Sequence, residues 1–276
     1  MPAVPLVLAA QHEGVLVLEL RAPPANTDSY EMMRELDAHI LDARMNESVH
    51  VLMLTGARPA PAEAGKKQAP EFFCAGADIK MLEGADPYFK YNFCLHANET
   101  LCRLEQTPKL VIAALNGHCV GGGLEIALAC DLRIARAGAG KVGLPEVALG
   151  VLPGTGGTQR LARALGRSKA IELMAEGLTF SVEEAKALGL VNAVIDAPPA
   201  DFRARALEYA RRFVPPGKAS RAVGFIKRAV TSGIEMTLES GLALERELQQ
   251  RLFEGEDAKE GIAAYNARRP PAFSGK

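Results

Sequence analysis

What this sequence lacks narrows its chemistry before any motif is read. It has almost no net charge: 32 Lys and Arg stand against 33 Asp and Glu, a formal −1 at pH 7. No bulk attraction to nucleic acid or to an anionic membrane follows from such a balance. No run of about 18 apolar residues occurs, and the short apolar run near the N-terminus has no basic segment before it, so neither a spanning helix nor a secretory leader is expected. The five cysteines, Cys74, Cys94, Cys102, Cys119 and Cys130, form no C-x-x-C pair and are odd in number, which argues against a disulfide framework or a zinc cluster. The five histidines contain no H-E-x-x-H pattern, so no metal is expected. These absences together predict a cytoplasmic protein in a reducing compartment, with no nucleic-acid or membrane partner, acting on small molecules.

What is present is ordinary globular material, 276 residues with 48% apolar and 24% charged side chains, enough for one large domain or a domain with an appendage. Leu6 to Leu8 and Val15 to Leu20 read as a hairpin around a Gln11 to Gly14 turn. Met32, Met33, Leu36 and Ile40 recur at helical spacing, with Thr27, Asp28 or Ser29 available as N-cap. His50 to Thr55 is a strand, and Gly56 to Pro70 is an Ala/Pro/Gly/Lys-rich loop. Phe72-Phe73-Cys74 leads through the small-residue turn Ala75-Gly76-Ala77-Asp78 into Ile79 to Leu82. A helix over Pro87 to Gln106 is stopped by Pro108. After Leu132 to Ala135 and the segment Lys141 to Leu149, Gly154 to Thr158 opens an amphipathic helix without the Lys-Ser/Thr end of a phosphate-binding loop. Ser181 to Glu184 is a capping box, and Leu190 to Ile195 is the last strand. From Pro198 onward only helical patterns occur. The predicted organisation is therefore an α/β part, 1–197, and an all-helical tail, 198–276.

The chemistry concentrates in Leu110 to Asp131. An apolar strand, Leu110 to Leu115, is followed by the turn Asn116 to Val120 and by three glycines, Gly121 to Gly123, where backbone can approach a ligand closely. Leu124 to Cys130 then reads as a helix that is apolar all round except for Glu125. A carboxylate in a first helical turn gains from the helix dipole, yet an unpaired buried charge is costly, so Glu125 calls for an explanation. One is a plain turn with Glu125 in solvent; the other is a site in which free N–H groups stand beside an acid/base carboxylate. Glu146 is a second isolated acid. Two small-residue turns could each supply one N–H to an oxyanion hole, and two carboxyls in different surroundings could divide the roles of base and acid.

The stretch PKLVIAALNGHCVGGGLEIALACDLRIA, preceded by FFCAGADIK and followed by GLPEVALGVLPGTGGTQRLAR, resembles the enoyl-CoA hydratase/isomerase (crotonase) superfamily, and within it the hydratases, over roughly residues 13 to 273. The resemblance implies a crotonase-like spiral of repeated β-β-α units with a C-terminal helical region that builds homotrimers and, by pairing, hexamers. It implies oxyanion-hole N–H groups from Ala77 and Gly122, catalytic glutamates at Glu125 and Glu146, and substrate or CoA contacts around Ala75, Asp78, Ile79, Lys80, Gly121 and the C-terminal Arg268 and Arg269. No cofactor is implied, since coenzyme A is part of the substrate.

The reaction implied is syn addition of water to a trans-2-enoyl-CoA, as in fatty-acid β-oxidation. In it Glu125 deprotonates the water and Glu146 protonates C2. A second reading is Δ3,Δ2-enoyl-CoA isomerisation, which needs a proton shuttle but no bound water. A non-catalytic or RNA-binding superfamily member is the reading from another class, which the near-neutral composition disfavours. This chain departs from the common pattern in an extension between Arg58 and Pro70, in Cys74 at a position often small, and in one additional residue between Ala135 and Gly143 ahead of Glu146.

Overall fold

The computed structural model describes residues 4–61, 65 and 67–276. Part of the Arg58 to Pro70 extension, 62–64 and 66, and the first three residues of the N-terminal run lie outside this description. The chain opens with a hairpin, β1 (Val7–His12) and β2 (Val15–Leu20), turning at Glu13 and Gly14, both with positive φ. Helix α1 (Tyr30–Met45) follows. Of the three possible caps, Ser29 is used: its side chain accepts the Met32 N–H at 3.2 Å.

The next three strand pairs repeat one plan. β3 (Val51–Gly56), β5 (Leu110–Leu115) and β7 (Leu132–Arg136) join the hairpin in a six-stranded sheet of order β1-β2-β3-β5-β7-β10, closed by β10 (Ala193–Ile195). Their followers, β4 (Phe72–Cys74), β6 (His118–Val120) and β8 (Lys141–Gly143), leave it for a four-stranded sheet of order β4-β6-β8-β9 with β9 (Thr179–Ser181). Each crossing from one sheet to the other is followed by helical structure: α2 (Ile79–Gly84) and α3 (Pro87–Glu105), then α4 (Gly122–Leu128), then a 3-10 turn at Glu146–Leu149 and α5 (Gly157–Leu165), with α6 (Arg167–Ala175) before β9 and α7 (Val182–Ala187) after it. This is the predicted spiral. The turn expected over Asn116 to Val120 contains β6, because His118 and Cys119 pair with β4, and Cys119 and Val120 with β8.

The six-stranded sheet is covered on both faces, which is why β3 and β5 are apolar without interruption. On one face Leu18, Leu20, Leu52, Leu54, Val111, Ala113 and Leu115 pack with α1, α3 and α4; on the other Val15, Val17, Val51, Met53, Ile112 and Ala114 pack with Phe202, Ala206 and Ala210. Those last three belong to α8 (Phe202–Arg211), so the first helix beyond residue 198 is part of the sheet's second face. Helices α9 (Ser220–Gly233), α10 (Leu238–Phe253) and α11 (Glu256–Asn266) leave Ile226, Val230, Ile234, Leu238, Leu242, Phe253 and Ile262 exposed.

Candidate active site

Two buried asparagines tie the sheets together where the site forms. Asn26 donates to Ala57 O and Phe72 O, while Asn116 accepts from Gly56 N–H at 3.0 Å and reaches Phe72 O from the other side. Phe72 is the entrance to β4, so its exit, the Ala75 to Asp78 turn, is held at the end of the parallel strands. Asp28 extends that hold, pairing its backbone with Gly76 O and Asp78 N–H across a parallel bridge to Ala77.

The glycine triplet meets this turn, and each glycine has its own steric reason. Gly121 has φ 55° and ψ −134° and stands before α4, a conformation open to glycine and strained for other residues. A Cβ at Gly122 would stand 2.7 Å from both carboxyl oxygens of Asp28, and one at Gly123 would stand 2.1 Å from Cys74 O. Gly76 closes on the triplet from the opposite turn: its Cβ position lies 3.1 Å from Gly122 N. Ala77 and Gly122 are thus carried on touching segments. Among the described residues neither of their N–H groups donates a hydrogen bond within the chain.

Glu125 is buried, 3% exposed, and is not an orphan charge. Oε1 accepts Thr155 N–H at 2.8 Å and Gly157 N–H at 2.7 Å, and Oε2 bonds the Thr155 hydroxyl at 2.5 Å. The segment Gly154 to Thr158 therefore cradles a carboxylate of its own chain. Three donors offset the desolvation that makes such a burial costly.

Glu146 arrives from the other side, at the start of its 3-10 turn. A Cβ at Gly121 would stand 3.2 Å from Glu146 Oε1, and Oε2 is buried with no hydrogen-bond partner among the described residues. Burial pushes its carboxyl up to about 7; its own backbone bond pulls down, and the fields of Glu125 and Asp28 push further up. The connection before it turns at Gly138 and Gly140, both with positive φ, and is tied down by Lys141 N–H donating to His118 Nδ1 at 3.1 Å. His118 thus serves the backbone.

The remaining predicted contacts divide. Ala75 and Ala77 are half-buried in the turn, and Asp78 is the N-cap of α2, accepting from Lys80 N–H at 2.9 Å. Ile79 and Lys80 are exposed on the first turn of that helix. Arg268 follows α11 with φ 51°, and Arg269 is paired with Glu260 at 2.6 Å. The segment after them reaches Ser220 and His50, where β3 begins, whereas the Ala75 to Asp78 turn follows β4 and the glycine triplet follows β6.

The enoyl-CoA hydratase/isomerase family model matches residues 10–276. The chain belongs to that family. Among solved structures it resembles an enoyl-CoA hydratase from Geobacillus kaustophilus HTA426, with TM-score 0.91 and 43% identity, covering 99% of this chain and 98% of that one. The short-chain-enoyl-CoA hydratase of Clostridium acetobutylicum is 35% identical over 95% of both chains. The mitochondrial methylglutaconyl-CoA hydratase of Mus musculus is 33% identical, covering 98% of this chain and 82% of the relative.

Family motifs point to Glu125 and Glu146, yet three residues that shape the site are given no role in the site by the reading above. Thr155 and Gly157 act on Glu125 through a contact visible only in three dimensions. Asp28 read as one of three caps, and is a buried carboxyl at the back of Gly122.

Proposed function

We propose that this protein is an enoyl-CoA hydratase, adding water syn across the double bond of a trans-2-enoyl-CoA. The observation that carries this reading is the unlike state of two neighbouring carboxyls: Glu125 holds three donors, whereas Glu146 has a buried oxygen with none among the described residues. An Oε1 that receives two N–H groups cannot also hold a proton toward them, so Glu125 fits the base that orders and deprotonates water. Glu146, pushed up to about 7, fits the acid that delivers a proton to C2.

The thioester oxygen would lie between the N–H groups of Ala77 and Gly122. Both donors are fixed before the reaction, and the second stands at the positive end of α4, so charge gathering on the enolate oxygen meets preset dipoles. Polarisation of that carbonyl drains the conjugated double bond and opens C3 to the water held by Glu125. Coenzyme A takes part as the handle of the substrate, with no further cofactor in the scheme. Two carboxyls placed for water and proton favour hydration over isomerisation, which needs only a shuttle.

Oligomerisation through the tail belongs to the same reading. The exposed apolar residues of α9 to α11 form a face whose burial against copies of the chain would give a homotrimer or a dimer of trimers, and mass in solution measures it. Five free thiols suit a reducing cytoplasm. Loss of the conjugated thioester absorbance of crotonyl-CoA on adding purified protein tests the activity. Full hydration by both Glu125→Gln and Glu146→Gln would overturn the two-carboxyl scheme. Isomerisation of a 3-enoyl-CoA that survives in Glu125→Gln would shift the reading to an isomerase.

A further inference from the structure

The scheme above uses two carboxyls, and the site contains a third. Asp28 is 2% exposed. Its carboxyl lies against the Cα of Gly122, close enough that a methyl there would stand 2.7 Å from each oxygen. Among the described residues the donor to its side chain is the Cys74 thiol, at 3.8 Å from Oδ1. The backbone of the same residue bridges to Ala77. Asp28 therefore touches both halves of the proposed oxyanion hole: one through its main chain, the other through its carboxyl.

The groups that face it are of one kind. Glu125 comes from α4, Asp78 from the turn before α2, Cys74 from β4, Glu146 from its 3-10 turn and Cys94 from α3. Among the described residues no lysine, arginine or histidine is one of them, so an Asp28 carboxylate would be a buried anion beside anions. Burial, then Glu125, pushes the carboxyl up to about 7, against the pull of its own backbone and of the Cys74 thiol.

We propose that Asp28 is a positioning residue for the oxyanion hole, neutral in the working enzyme, and that its ionisation disables enolate stabilisation at Gly122. A negative charge against Gly122 opposes the charge that gathers on the thioester oxygen a few ångströms away, in a place where water cannot screen it. A neutral acid at the same position fills the same space and leaves the two N–H dipoles unopposed. This inference rests on the Ala77/Gly122 reading of the hole. It adds a second proton, besides that of Glu146, which must be present for turnover.

The variants are Asp28→Asn, near-isosteric and fixed neutral, and Asp28→Ala, which removes the group. The first readout is kcat/KM for crotonyl-CoA from about pH 5 to about pH 9. In the wild type the alkaline limb should steepen toward loss of two protons, and in either variant it should follow one. The ratio of variant to wild-type kcat/KM should therefore rise roughly tenfold or more between pH 6 and pH 9. Parallel limbs overturn the proposal, as does a loss of equal size at every pH, which marks a purely structural residue.

A second readout does not depend on hydration. Acetoacetyl-CoA carries enolate charge at the same oxygen, so the ratio of its affinity for Asp28→Asn to that for wild type should climb over the same pH range. If crotonyl-CoA is not hydrated but this climb is seen, the hydratase reading fails and the role of Asp28 stands. If the ratio is flat with pH, the role of Asp28 fails whatever reaction the site performs.

Discussion

Thr155 holds both oxygens of Glu125: its N–H reaches Oε1 at 2.8 Å and its hydroxyl bonds Oε2 at 2.5 Å. Thirty positions separate the two residues, and the grip works because Gly157, at the start of α5, adds a third donor to Oε1. Burial of Glu125 and its aim are thus set by one loop. Thr155→Val keeps the backbone donor and removes the hydroxyl. A hydrogen bond to a charged group contributes about 1.5–3 kcal/mol, so kcat for hydration should fall by roughly ten- to hundredfold. KM for the CoA thioester should move little, and Thr155→Ser should restore the rate. Steady-state kinetics of the three proteins check this, and an unchanged kcat in the valine variant would remove Thr155 from the mechanism.

Gly122→Ala places a methyl 2.7 Å from both Asp28 oxygens and 2.9 Å from its Cγ. Asp28 has little room to swing away, since its side chain is buried and its backbone is bonded on both sides of Ala77. The start of α4 must shift instead, carrying the Gly122 N–H with it. Loss of one oxyanion donor costs about 10²–10³ in kcat elsewhere, and a loss of that order is expected here, together with a lower melting temperature. Adding Asp28→Ala to Gly122→Ala should recover part of the stability, which separates the clash from any other effect of the methyl.

Glu146 is pushed up to about 7 by burial and then by its neighbouring carboxyls. In the proposed acid role, a group that delivers a proton to C2 is competent below that value and spent above it. Hydration should therefore decline as pH rises through about 7, and Glu146→Gln should abolish it at every pH. A wild-type profile that stays flat to about pH 9 would contradict the acid role.

Much of this architecture can be read from residue patterns because the six-stranded sheet is buried on both faces. Leu110 to Leu115 is apolar at each position for that reason, and Glu125 stands out against an otherwise apolar helix for the same reason. The four-stranded sheet resists such reading. Phe72–Cys74, His118–Val120, Lys141–Gly143 and Thr179–Ser181 are three residues each, too short for a period of two to repeat. Asp28 illustrates a different limit: it precedes a helix and so looks like a cap, while Ser29 does the capping. Its burial arises from contact with Gly122, a neighbour remote in sequence, and local spacing contains no trace of it.

The same residue sets a pH dependence of stability. Asp28 has its folded value raised from 3.8 to about 7, so the native state holds a proton that the unfolded chain releases. Stability from this group is complete below the ordinary carboxyl value and is lost as pH rises through about 7. A rise of that size corresponds to at most roughly 4 kcal/mol. Urea unfolding at about pH 5 and about pH 8 should show the wild type weakening at the higher pH, and Asp28→Asn should reduce the difference. Equal slopes for the two proteins would mean that Asp28 keeps an ordinary carboxyl value.

The stretch that begins with β5 ends at Asp131, and there the helical tail is fastened to the sheet. Lys227 of α9 is buried, with Nζ 2.9 Å from Asp131 Oδ2, and the same oxygen accepts Val111 N–H at 2.7 Å. Lys227 also donates to Lys109 O at 3.1 Å, while Gly224, one turn earlier, presses on Pro108 so closely that a Cβ would stand 2.3 Å from its carbonyl oxygen. Burial pushes the Asp131 carboxyl up, and Lys227 pulls it back. Lys227→Met would leave that carboxyl buried with its partner gone, a change that costs about 3–5 kcal/mol in comparable pairs. Removing the charge on both sides, Asp131→Asn with Lys227→Met, should cost less than the single lysine variant, because no unpaired anion is left. Chemical denaturation of the wild type, both single variants and the double variant gives the coupling directly. A double variant as unstable as the sum of the two singles would mean that α9 is held by packing at Gly224 and not by this pair.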